Sequence, residues 1–212
     1  MQRQMSLMTD PAALVSTYVA SLGRVLPLSR ITYVLPWPPA VRRYHWIPGV
    51  DVPTGSLGYR LLLDIDLTDP SWRDKADFHS LFIPRTGFDP DAAGGLLGEV
   101  IARQRLDVRN DLTLDASDPA LGAAGARHRS MVAVPIFWQG HTQAWIVVFA
   151  DTPGAFKPND VGLLLTTGNM LARSAVYLDT LEEARTVNAR LHATFEEIGR
   201  VQRLLLPASL PN

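Results

Sequence analysis

The stretch MVAVPIFWQGHTQAWIVVFA, residues 131–150, limits what this chain can fold into more than any other feature. Two apolar runs rich in β-branched and aromatic residues flank the turn residues Gln139, Gly140 and His141, the pattern of two strands joined as a hairpin. A hairpin commits the sheet to antiparallel pairing, so the other elements read as its partners or its cover. Upstream, ITYVL, RYHWI and YRLLLDI carry the residue types of three further strands, while PWPP, PGVDVPTGS and TDPSW supply breaks.

Helical periods frame these strands. Asp10 and Pro11 read as an N-cap and a first turn, and Leu14, Val15, Tyr18, Val19, Leu22, Val25 and Leu26 follow at steps of three and four, closing between Gly23 and Pro27. In DPDAAGGLLGEVIARQR the residues Leu96, Leu97, Val100 and Ile101 line one side of a short helix, and DVRNDLTLDASDPALGAAGARHRS reads as a long polar loop. FKPNDVGLLLTTGNMLARSAVYL opens a final helix that nothing stops before Pro207. The order helix, strands, short helix, loop, hairpin, long helix predicts an α+β fold with helices packed on an antiparallel sheet.

At 212 residues, 47% hydrophobic and 19% charged, the chain can bury one good core. A formal net charge of -1 gives no basic field to collect phosphates, which argues against nucleic acid as a partner. With no cysteine, disulfides, thiolate nucleophiles, cysteine-based metal sites and thioether-linked chromophores are excluded together. The apolar runs fall far short of the ~18 residues a membrane span needs, and the N-terminus lacks a signal pattern, so the expectation is a cytoplasmic chain.

Three segments in sequence order carry a family likeness: GLLGEVIARQRLDVRND, HRSMVAVPIFWQGHTQAWIVVF and FKPNDVGLLLTTGNMLARSAV. From Asp10 to Leu181 the chain resembles a GAF domain. That resemblance implies a sensory or dimerising module whose small-molecule pocket, where one exists, lies between the sheet and the loops over it. The cover would come from FHSLFIPRTGFDPDAAGG and from the loop between Asp107 and Ser130, with Phe82, Arg85, Phe88 and Asp111 as lining candidates and Trp46 or Trp145 entering from the sheet. These aromatics read equally well as core and the charges as solvated. Ala144 and Trp145 stand where the family's hairpin usually has Gly-Val, and an indole there would narrow or fill the cavity. The missing thiols argue against bilin attachment and free methionine sulfoxide reductase chemistry. The Asn-Lys-x-Phe-Asp-Glu pattern of cyclic-nucleotide-binding members is absent from the sequence.

Other constellations read as structural. Asp64 and Asp66 alternate along a strand with Asp69 close behind, a conceivable cation site but more simply a solvated strand end. The histidines at 45, 79, 128, 141 and 192 include no pair at helical ligand spacing. Gly94, Gly95 and Gly98 open a helix as in a phosphate-cradling loop, yet no Lys-Ser/Thr follows, and close packing explains them better. With no nucleophile elbow and no triad in view, neither catalytic nor metal-binding residues are expected in this chain.

Leu181, Ala184, Asn188, Leu191, Phe195, Ile198, Gln202 and Leu205 fall at alternating steps of three and four, a coiled-coil seam in which Asn188 and Gln202 occupy the a position. A polar a residue is best satisfied by its twin, which predicts a parallel, in-register homodimer; the competing reading folds the same stripe back on its own domain. EEIGRVQRLLLPASLP then resembles the lead-in to the catalytic domain of SpoIIE/RsbU-type bacterial serine/threonine phosphatases, through Val201, Gln202, Leu205, Leu206, Pro207, Leu210 and Pro211. The resemblance implies a downstream metal-dependent phosphatase, with Mg or Mn required only there. The expected organisation is a tail over 1–9, a GAF-like sensor over 10–178, a coiled-coil signalling helix over 179–206 and the start of a phosphatase domain over 207–212. A histidine kinase or diguanylate cyclase output, or a ligand-free dimerisation scaffold, are the alternatives.

Overall fold

Six strands form one antiparallel sheet in the order β3-β2-β1-β6-β5-β4. The computed structural model of the chain describes residues 11–37, 58–75, 92–138 and 141–205. In chain order the elements are α1 (Pro11–Val25), β1 (Arg30–Trp37), β2 (Gly58–Asp66), α2 (Trp72–Lys75), β3 (Ala92–Ala93), α3 (Gly95–Arg103), β4 (Asp107–Arg109), α4 (Gly122–Gly125), β5 (Ser130–Trp138), β6 (His141–Ala150) and α5 (Pro158–Leu205). The α+β reading holds. The expected hairpin is β5–β6, paired from Ser130↔Ala150 to Trp138↔His141, with His141 in the strand itself. RYHWI lies outside the described residues.

One face of the sheet packs under α1 and the first half of α5. Ile31, Leu35, Leu63, Ile65, Val132, Val134, Ile136, Ile146 and Val148 meet Leu14, Val15, Tyr18, Leu22, Leu164 and Leu171 there. Val25, which the periodic pattern counted with that stripe, is 67% exposed because the helix ends at this residue. The opposite face packs under α3: Val34, Tyr59, Met131, Ala133, Trp145, Val147 and Phe149 meet Leu96, Leu97, Val100 and Ile101. A register shift between Tyr33, which pairs with Leu63, and Val34, which pairs with Leu61, lets odd-numbered β2 residues serve one face before the bulge and the other after it.

The loop expected between Asp107 and Ser130 is built rather than free. Its first residues form β4, and Asn110 is sewn to the far side of the hairpin: its Nδ2 donates to Phe156 O at 3.1 Å, and the Gly154 amide donates to Asn110 O at 2.7 Å. The start of α5 is fixed by the residues Phe156 to Asp160. Pro158 occupies the first turn, and Asp160 Oδ2 reaches back to accept from the Lys157 amide at 2.9 Å, while Phe156 is buried just before it.

Candidate functional site

Three buried polar atoms mark the α3 face. Among the described residues, Tyr59 Oη, Trp145 Nε1 and His128 Nε2 have no hydrogen-bond partner. Tyr59 and Trp145 sit in the α3-face core, and His128 stacks on Phe149 of that core with ring centroids 4.8 Å apart. Native interiors satisfy nearly all such groups, so three orphans gathered on one face are exceptions. Trp145 is fully buried beneath α3. Burial, and secondarily the negative charge of Asp118, push the Tyr59 phenol above its ordinary value, so it is a neutral donor.

At the other end of this face Ser29, His128 and Asp151 converge, a grouping their separation in sequence hides. The geometry is not that of a nucleophilic triad: His128 Nδ1 lies 2.8 Å from Asp151 Oδ1 and 3.2 Å from Ser29 Oγ, so carboxylate and hydroxyl share one ring nitrogen and Nε2 faces neither. Burial lowers the His128 pKa, with Asp151 opposing it incompletely. His128 is therefore a neutral, stacked core histidine.

The paired aspartates are engaged by neighbouring side chains. Arg30 forms a bidentate ion pair with Asp64, and Thr32 Oγ1 adds a hydrogen bond at 3.2 Å. Asp66 accepts from Thr68 and from Arg127 Nη2 at 2.7 Å; burial raises its pKa, but these bonds outweigh it and hold the carboxyl below the usual range. Asp69 caps the start of α2 through Ser71. Each carboxylate is thus committed within the fold.

The glycines at α3 also resolve. Gly95 has φ +63, and a Cβ there would lie 2.7 Å from both Asp118 Oδ2 and Pro119 Cδ. Asp118 Oδ2 accepts from the Leu96 amide at 2.9 Å and its Oδ1 from Leu121 at 2.9 Å, so the N-terminus of α3, where a phosphate would bind, is filled by the protein's own carboxylate.

Of the proposed lining residues, Trp46, Phe82, Arg85 and Phe88 lie outside the described residues. Asp111 is on the surface, its side chain 83% exposed and paired with Arg129 at 3.2 Å. Along the expected seam, Ala184, Asn188, Leu191, Phe195 and Ile198 are exposed, and none packs on its own sheet; the side chains of Leu181, Gln202 and Leu205 lie outside the described set. Val187 shares this exposed apolar stripe. Among the described residues no helix is long and apolar enough to cross a membrane.

A sheet with two helices on one face and a short helix plus stapled loops on the other defines a two-faced α+β domain. A GAF domain family model matches residues 50–173, and the chain belongs to that family. Among solved structures, the chain is similar to the GAF domain of an Acinetobacter phosphoenolpyruvate-protein phosphotransferase, at 11% identity over 85% of this chain and 91% of that one, with a TM-score of 0.52. It is also similar to the GAF domain of the corresponding Coxiella burnetii protein, at 16% identity over 89% and 92%, with a TM-score of 0.50. At these identities the likeness is one of fold. No curated protein matches the sequence.

Proposed function

We propose that this GAF domain is a sensor that receives a small ligand on the α3 face, dimerises through α5, and controls a following SpoIIE/RsbU-type serine/threonine phosphatase. The observation that carries the reading is the continuity of α5. Its first half is packed in the core through Leu164, Thr167 and Leu171, and the same helix runs on to expose Val187, Leu191, Phe195 and Ile198. A stripe of large apolar residues in water favours a partner, and the heptad spacing with Asn188 at an a position favours a second copy. The Val201–Pro211 signature supports the phosphatase as output.

Hydrogen bonds between the hairpin and α5 support such a coupling. Trp145 pairs with Pro135 across the hairpin, and Pro135 O accepts from Asn169 Nδ2 of α5 at 3.1 Å. Asn169 Oδ1 also accepts from the Phe137 amide at 2.9 Å, beside the β5 irregularity at Ile136/Phe137. In this reading a ligand that moves Trp145 shifts β5 and, through Asn169, the rotation of α5, biasing pairing states separated by a few kcal/mol. Light scattering tests it: the chain is expected at twice its monomer mass and Phe195→Glu at monomer mass. A monomer at all concentrations for the unmodified chain would refute the reading.

A further inference from the structure

On the α1 side of the sheet, away from the α3 face, Val19, Leu28, Leu67 and Trp72 wall an open cleft of about 200 Å³. Two cations line it, Arg24 from the last turn of α1 and Arg73 from α2, both exposed. The Arg73 guanidinium lies over the Trp72 ring, 4.7 Å from its centroid. Neither arginine has a carboxylate partner among the described residues, whereas Arg30, Arg103, Arg109, Arg127 and Arg129 all do. Guanidinium groups present planar donor forks suited to carboxylate and phosphate, and stacking on an aromatic ring leaves the fork's edge available.

Gly23, in the last turn of α1, also lines the cleft. Its φ is outside the left-handed region, and a Cβ there would meet only Leu67 Cδ1 at 3.8 Å, ordinary contact. A side chain much larger than alanine at this position would project toward Leu67 and narrow the cleft.

We propose that this cleft binds a small molecule combining one oxyanion, carboxylate or phosphate, with a compact apolar body. The oxyanion sits between Arg24 and Arg73, and the body lies against Leu67 and Trp72. A cavity of roughly 150 Å³ holds benzene, which sets the scale of the body. The site is independent of the α3 face and of dimerisation.

Calorimetric titration of the full chain with phenylacetate and with phenyl phosphate tests this, with phenylacetamide as the neutral analogue. Saturable one-site binding of either oxyanion is expected, and which one binds identifies the headgroup. Phenylacetamide is expected not to bind, and Arg24→Gln and Arg73→Gln each to weaken binding at least tenfold. Gly23→Leu is expected to abolish binding with an unchanged or higher Tm. The proposal is overturned if neither oxyanion binds, if phenylacetamide binds as well, or if the two arginine variants bind as tightly as the parent. Retained binding in Gly23→Leu overturns it too.

Discussion

Replacing Tyr59 by Phe removes one oxygen from the interior and nothing else. Tyr59 is 0% exposed, its hydroxyl has no partner among the described residues, and its ring lies beneath α3, where a Cβ on Gly98 would stand 3.9 Å from Cε1. A buried donor left unsatisfied costs about 1–3 kcal/mol, while the packing lost with one oxygen is a fraction of that, so the variant should gain about 1 kcal/mol. For a domain of this size that corresponds to a Tm rise of about 2–4 °C. Calorimetric melts of both proteins, refolded from denaturant to strip any copurified ligand, would read it. A fall in Tm for Tyr59→Phe would show that the hydroxyl has a partner in solution, and the reasoning from an unsatisfied buried donor would be wrong.

Other perturbations have definite signs. Asp64→Asn strands Arg30, which is 9% exposed, and should cost about 3 kcal/mol, the low end for a broken buried pair because Asp64 itself is partly in water; urea unfolding would measure it. Gly95→Ala combines a φ of +63 with a Cβ 2.7 Å from Asp118 Oδ2 and should cost about 2 kcal/mol or more, read as a fall in the urea midpoint. Because the His128 pKa lies below its unfolded value, the unfolded chain takes up the proton first as pH falls through about 6.5. Stability should therefore decline on acidification from that point, and His128→Gln should show a shallower decline over the same range in a pH series of melts.

The parts of the fold that declare themselves in sequence are those whose own residues decide their state. The β5–β6 runs, α1 and the start of α5 are of this kind, since apolar period, Pro158 and Asp160 act locally. Ala92–Ala93 and Asp107–Arg109 have little strand propensity of their own and become strands because β2 and β5 offer partners, which no local pattern announces. The site was legible to the same extent. The Trp145 substitution in the hairpin could be read directly, whereas the pairing of Arg30 with Asp64 and the meeting of Ser29, His128 and Asp151 depend on contacts spanning 34, 99 and 23 residues. Asp118 as the occupant of the α3 N-terminus was equally hidden, 22 residues from the amide it caps.

The absence of cysteine makes the central claim directly measurable. Asn188→Cys places a single thiol at an a position, where a parallel in-register pair brings the two copies within the Cα separation of about 4.4–6.8 Å that a disulfide needs. Arg190→Cys, on the same helix but off the seam, is the control. Under mild oxidation the account predicts near-complete covalent dimer for Asn188→Cys and little for Arg190→Cys. Equal, slow cross-linking of both would contradict it.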